Sequence, residues 1–408
     1  MVKKGNNTSK QAKPNVIKQQ YNKGKIAGVA ARFLHLVRQL DDPRTGFCDY
    51  PLAEILFVAI IAVLCGSESD QDIATFGEAQ IKWFRQFMPL KNGIPSHDTF
   101  RRIFLVLKPE VLQSAHDEIF RELRVRKRGR TNPKHYSIDG KASRGCYDTK
   151  GKSLLHTVSC WDRSNGISLG QFATKNEEGK EVGEYNTIPK LIKTLDIEDA
   201  LITVDAGGCY AEITDAIIDG GGSYAITLKE NQPTLHGIAK DVFEKHEQNN
   251  FSGVAVFQET SRGHGRVEER TYYAVPVPKD DERLGKWSGL KTLVMGRFRR
   301  SVNGGAATEC IRFYISSVPC KKVKWLGQSL RGHWAIENGL HWVLDVTFGE
   351  DGNRTRRGNG AENWSILRRM ALGMLNQVKG KMTIPNVKFR AAVDPDFRTE
   401  IIKKIVMR

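Results

Sequence analysis

Three acidic residues stand where the surrounding pattern asks for something apolar. Asp205 closes the run Leu201, Ile202, Val204 and is followed two residues on by Gly207 and Gly208. Asp139 ends the stretch "YSID", and Glu337 falls between Trp334 and Leu340 on the stripe Val323, Leu326, Leu330, Trp334, Leu340, Leu344. An ionised carboxylate beside a core is costly unless it is paired or holds a metal. Carboxylates brought together repel one another unless a cation or a proton intervenes. Three of them around two divalent ions about 4 Å apart can activate a water or a 3′-hydroxyl and stabilise the leaving oxygen of a phosphodiester. Mg²⁺ suits all-oxygen ligands and phosphate partners. The two glycines after Asp205 leave room for a backbone or a polynucleotide to approach. Asp345, Glu350 and Asp351 downstream, and Glu184 upstream, compete for the third place. His333 and His341, four residues to either side of Glu337, share its helical face.

The elements that must position these acids can be read along the chain. "KHYSIDG" reads as a strand, and "SLLHTVSCWD" and "GISLGQFAT" read as two more joined at "RSNG", a hairpin signal. "TIPKLIKTL" has helical spacing, "LITVD" is a strand, "CYAEITDAIIDGGG" is a helix stopped by glycines, and "SYAITLK" is a strand. The order β-β-β-α-β-α-β implies an α/β fold, a mixed sheet covered by helices, and it is the ribonuclease-H-like order. There the first and fourth strands are neighbours, so Asp139 and Asp205 approach each other. Upstream, Tyr50 to about Val125 is helical. "ILFVAIIAVLC" is too short for a bilayer and reads as a buried helix. "IPSHDTFRRIFLVL" carries Ser96 as N-cap and Phe100, Ile103, Phe104 and Leu107 on one face, which turns Arg101 and Arg102 outward. A helix-turn-helix is one reading of this region. From Thr234 to Val323 four strand-like segments return, as a β insertion or subdomain, and "KVKWLGQSLRGHWAIENGLHWVLDV" restores a long helix. We divide the chain into a basic disordered tail (1–30), a helical N-terminal DNA-binding domain (31–130), the first part of the core (131–233), a β-rich insertion (234–322), the C-terminal core helices (323–384) and a short basic tail (385–408).

Charge narrows the partners. Over 408 residues the net charge is +17, and a basic surface of that size favours polyanions, nucleic acid first. No acid precedes Asp41, so the N-terminal tail can touch phosphates or stand solvated. Arg354, Arg356, Arg357, Arg368 and Arg369 follow the late helix and suit phosphate contacts, the alternative being a solvated face. "RGHGRVEER" offers the same choice. "GGG" at 220–222 reads as a helix stop. His156, His236 and His264 lack metal-like spacing, and seven unclustered cysteines argue against a disulfide framework. The N-terminus lacks the apolar core of a secretory signal, which fits a reducing cytoplasm without a membrane partner.

The blocks "SIDGKASRG", "LITVDAGGCYAEI", "GGSYAITLKENQPTLH", "GHGRVEERTYY" and "HWAIENGLHWVLDVTFGEDGNRTRRGNGAENWSILRRMAL" resemble, in this order, the DDE-type insertion-sequence transposases of the H-repeat-associated branch. The likeness runs from about Leu36 to Val378. It implies that Asp139, Asp205 and Glu337 are the catalytic, metal-binding triad of a ribonuclease-H-like core with a β insertion before the Glu helix. It implies two Mg²⁺ or Mn²⁺ ions, DNA nicking at terminal inverted repeats, strand transfer by a 3′-hydroxyl into target DNA, and dimers or larger assemblies on paired ends in the bacterial cytoplasm. Lys141, Arg144, Lys229, Arg354 and Arg356 match basic positions of the family blocks and are assigned to DNA contact. Relatives in the wider clan carry Tyr, Arg and Lys around the Glu. Here Leu330, His333 and Leu344 take those places, which leaves His333 as the DNA-facing group. "ATKNEEGKEVGEYNTIP" is longer than the family pattern and is expected to form a surface loop. A ribonuclease-H-like nuclease without strand transfer, and an inactive DNA-binding relic, are the competing readings.

Overall fold

The computed structural model describes residues 42–125, 134–147, 155–175, 180–263, 265–278 and 280–406. The basic N-terminal tail, most of the "RKRGRTNPK" segment, the middle of the expected 173–189 loop and His264 lie outside the described residues. Among the described residues the helices α1 (Leu52–Cys65), α2 (Asp70–Ala79), α3 (Ile81–Phe84), α4 (His97–Val106) and α5 (Pro109–Val125) precede the sheet. Helix α1 is apolar apart from Glu54, whose Oε1 accepts from Leu90 N at 3.3 Å, and it is buried along its whole length, as a core helix must be. Helix α4 buries Phe100, Ile103 and Phe104 and leaves Arg101 and Arg102 exposed. Ser96 stands at its N-cap position but makes no side-chain cap bond; its hydroxyl faces that of Thr99 at 3.3 Å.

The sheet follows. Strands β1 (Lys134–Ala142), β2 (His156–Asp162) and β3 (Ile167–Ala173) form an antiparallel meander. Helix α6 (Glu184–Lys193) crosses to β4 (Ala200–Val204), and α7 (Ala211–Asp219) crosses to β5 (Ser223–Leu228). Strand β4 runs parallel to β1 and β5 parallel to β4, so the spatial order β3-β2-β1-β4-β5 is ribonuclease-H-like. Every residue of β4 is buried, as a central parallel strand covered on both faces requires. After α8 (Pro233–Gln248) come β6 (Ala255–Gly263), β7 (Arg266–Pro276), β8 (Thr292–Val302) and β9 (Thr308–Ser316). They are not a detached unit. Strand β9 pairs antiparallel with β5, and the sheet runs on through β8 and β7 to β6, nine strands in all.

Helix α9 (Val323–His333) then lies against the sheet, a π-helical turn spans Glu337–His341, and α10 (Trp342–Phe348) continues it. Trp334, expected inside, is 48% exposed, and Ile336 takes the buried place, because the chain does not keep a regular 3.6-residue turn through this stretch. Helix α11 (Gly360–Val378) packs on α1, and Phe104 meets Trp364 edge to face at 5.6 Å. Asn363 Nδ2 donates to the carbonyls of Phe104 and Leu107, each at 2.8 Å, which ties the N-terminal helices to the core. The segment read as a terminal tail instead folds into α12 (Ile384–Val393) and α13 (Pro395–Val406). Its Val387, Ala391, Ile401 and Ile402 recur at helical spacing and are buried. No single helix among the described residues is long and apolar enough to cross a membrane.

Candidate active site

Two neighbouring strands set the first part of the site. The parallel register pairs Ile138 with Val204, so Asp205, the first residue past β4, comes beside Asp139, which lies within β1 and is still paired with Ser159 of β2. Each carboxylate is fixed by a backbone amide just beyond it. Asp139 Oδ1 accepts from Gly140 N at 2.9 Å, and Asp205 Oδ1 accepts from Gly208 N at 3.2 Å. Gly208 has to be glycine, since a Cβ there would run into Val204. Asn231 and Gln232 donate to the carbonyls of Ala206 and Cys209, both at 2.8 Å, and pin the turn after Asp205.

The third part comes from the π-helical turn. Helix α9 is bound to the sheet through Thr203, whose Oγ1 faces His333 Nδ1 at 3.1 Å and His135 Nε2 at 3.0 Å. The turn that follows presents Glu337 and His341. His341 Nδ1 lies 3.7 Å from Asp139 Oδ2 and 3.7 Å from Glu337 Oε2. Ligand atoms of Asp139, Glu337 and His341 all fall within 4.8 Å of one another. Glu337 sits at the rim, 52% exposed, rather than inside the stripe where the helical pattern put it.

Burial, reinforced by the charges of Asp205 and Glu337, pushes the Asp139 carboxyl up to about 8. Glu337 stays below its ordinary value, chiefly through His341. Without a cation, this environment favours the neutral form of Asp139 and the ionised form of Glu337. A set of oxygen donors that cannot all ionise unaided fits a divalent cation, which would do the work of that proton with more charge.

Glu184, one of the competing acids, belongs to the same neighbourhood. Its Oε1 is 2.8 Å from His156 Nε2, it packs where a Cβ on Gly140 would sit, and its charge acts on Asp139. The expected basic contacts divide. Arg144, Lys229, Arg354 and Arg356 are exposed. Lys141 is not available: it is buried, with Nζ 2.6 Å from Asp345 Oδ1, 3.3 Å from Glu350 Oε2 and 3.4 Å from Asp351 Oδ1. That cluster also absorbs the three downstream acids that competed with Glu337. Arg368 and Arg369 are buried as well, Arg369 Nη1 lying 3.0 Å from Glu350 Oε1. His333 is inward-facing, and burial holds it below the usual imidazole range, so it is a neutral hydrogen-bond partner and not a cation for phosphate. The position of His341 was visible in its four-residue spacing from Glu337; its approach to Asp139 was not, because that contact crosses the fold.

Residues 130–374 match the family model described as the transposase DDE domain, and residues 34–118 match a model described as DDE_Tnp_1-associated. The YncI protein of Escherichia coli O157:H7, named as a candidate transposase, is 34% identical over 343 residues, which is 83% of this chain and 85% of that one. The H repeat-associated protein YhhI of Escherichia coli strain K12, named likewise, is 31% identical over 372 residues, 89% of this chain and 95% of that one. Among solved structures, the piggyBac transposase synaptic complex with hairpin DNA aligns over 93% of this chain and 77% of that one, at 10% identity and a TM-score of 0.39.

Proposed function

This chain belongs to the family of transposases that carry a DDE domain, and on that premise we propose that it moves an insertion sequence. In this reading it binds the terminal inverted repeats, nicks them by hydrolysis, and joins the freed 3′-hydroxyl ends to target DNA. The observation that supports the reading is that Glu337, from a distant helix, comes within the 4.8 Å cluster of Asp139, while Asp205, outside that cluster, is the register neighbour of Asp139 on β4 and acts on it by charge. Divalent ions, Mg²⁺ or Mn²⁺, would supply the acidity that turns a water or a 3′-hydroxyl into a nucleophile and the charge that steadies the leaving oxygen. The chain's own part is to position charge. Asp139, held by the Gly140 amide, is the shared member, and Asp205 and Glu337 flank it. The Thr203 bridge between β4 and His333 fixes the distance between sheet and Glu337. Exposed Arg144, Lys229, Arg354 and Arg356 are assigned to DNA phosphates, the N-terminal helices to recognition of the ends, and a dimer or larger assembly to holding two ends together.

The test is Glu337→Gln on a duplex carrying the element's end. Divalent-dependent nicking should be lost while end binding persists. Unchanged nicking would remove Glu337 from the mechanism. A protein that binds ends but never nicks, wild type included, is a relic; one that nicks but never joins a 3′ end to a target plasmid is a nuclease.

A further inference from the structure

The three acids of the proposed centre do not account for His341. The ring is 4% exposed, and its Nδ1 lies equidistant, at 3.7 Å, from one oxygen of Asp139 and one of Glu337. Neither separation is a hydrogen bond, which for N–H···O closes to about 3.2 Å or less. Both leave room for one shared cation: bonds of about 2.1 Å can span ends 3.7 Å apart at roughly 120°, a little wider than the regular tetrahedral or octahedral angle. The far nitrogen, Nε2, is buried without a hydrogen-bond partner among the described residues. No hydrogen bond there fixes which ring nitrogen carries the proton, so Nδ1 is open to act as an electron-pair donor. The π-helical turn supplies the reason for the arrangement. It widens the chain at Glu337–His341, and such turns concentrate at functional sites because they re-aim side chains that a regular helix would send elsewhere.

We propose that His341 is a nitrogen ligand to the cation held by Asp139 and Glu337, and that this position therefore prefers a transition-metal ion to Mg²⁺. Imidazole is a poor ligand for Mg²⁺, which favours oxygen and dehydrates reluctantly, and a good one for the first-row divalent ions. The cation sites of the centre are then unequal. The one at Glu337 carries a nitrogen and discriminates between metals, whereas Asp205 brings only oxygen. The charged and titratable groups around the ring are Asp139, Glu337 and His333. This inference rests on the carboxylate centre proposed above.

The probe is Mn²⁺, titrated into the full-length protein and followed by electron paramagnetic resonance. Pulsed measurements on the bound ion should show coupling to a histidine ¹⁴N, replaced by the ¹⁵N pattern when the protein is labelled with ¹⁵N-histidine, which needs no mutation. His341→Gln should abolish the coupling and weaken Mn²⁺ binding, while Mg²⁺ binding, measured by competition, falls much less. His333→Asn should leave the coupling in place. Bound Mn²⁺ with no nitrogen coupling, or coupling that survives His341→Gln, overturns the assignment. Glu337→Gln separates the two readings: if it abolishes Mn²⁺ binding and His341→Gln does nothing, the carboxylate centre stands and the nitrogen ligand falls. Wild-type protein that takes up no Mn²⁺ sinks both.

Discussion

Glu350 carries a full charge inside the protein, 2% exposed, at the meeting point of Lys141 and Arg369. Burial alone would raise its carboxyl; Arg369, then Lys141 and Arg368, outweigh that and bring it from 4.5 to about 2. The unfolded chain therefore takes up this proton first as the solution is acidified. The stabilisation is complete above about pH 4.5 and is lost as pH falls towards 2, and it amounts to about 3 kcal/mol. Glu350→Gln should accordingly be less stable than wild type by about that amount at pH 7, with an unpaired Arg369 left behind. Denaturant melts at a series of pH values should show the gap closing as the acid limb is descended; a gap that stays constant with pH would contradict the pairing. None of this was legible in the sequence. Lys141 read as a DNA contact because it matches a basic position of the family blocks, Arg369 as a phosphate contact or a solvated face because it follows the late helix in a basic stretch, and only the fold brings them to an acid 209 and 19 residues away. Asp139 and Asp205 were legible for the opposite reason: the apolar run before each names the strand, and the strand order names the neighbour.

At the scale of elements, the π-helical turn decides where the late helix points its side chains. Apolar spacing assumes 3.6 residues per turn, so the stripe read from the sequence held for Leu326, Leu330, Leu340 and Leu344 and failed at Trp334 and Glu337, next to the irregular turn. The strands β6 to β9 were legible as strands, since alternation is local, but their continuation of the core sheet was not, since it depends on β9 finding β5. The turn yields its own prediction. Asn338 is exposed, and deleting it removes the extra residue that the wide turn accommodates. A regular helix turns about 100° per residue. Either His341 leaves Asp139, or α10 rotates and exposes Leu344 and Phe348, which are buried now. We expect the deletion to lose Mn²⁺ binding with little change in helical circular dichroism, while Asn338→Ala keeps both. Retained metal binding in the deletion would show that the turn is incidental. A second element-level prediction concerns the approach of α6 to β1: Gly140→Ala meets only the flexible end of Glu184, whose carboxylate can swing off its seat beside His156, so the melting temperature should fall no further than Glu184→Ala lowers it.

The whole molecule carries a charge of +17, and its arginines are not spread evenly. Arg101 from α4 and Arg354, Arg356 and Arg357 from the segment before α11 line one cleft of about 600 Å³, with Glu68 and Asp70 on its wall and Trp364 at its floor. That segment is anchored to the chain just past Asp139. Arg144 N donates to Asp351 Oδ1 at 3.0 Å, Cys146 Sγ approaches the Thr355 carbonyl at 2.9 Å, and Arg356 stacks on Tyr147 at 4.4 Å. The N-terminal helices and the core thus meet at a cleft lined by four arginines, which would meet the phosphates of a duplex lying there. Binding through phosphates releases counterions, so the logarithm of affinity falls linearly with the logarithm of salt, by about 0.9 for each contact on a duplex. Arg354→Ala combined with Arg356→Ala should lower that slope by about 2 and weaken binding to end and unrelated duplexes alike. The matched change Arg299→Ala with Arg300→Ala, on β8 far along the extended sheet, removes the same charge from another place and should leave the slope nearly unchanged. Equal slopes for the two double variants would mean that net charge alone attracts DNA and that this cleft is no seat for it.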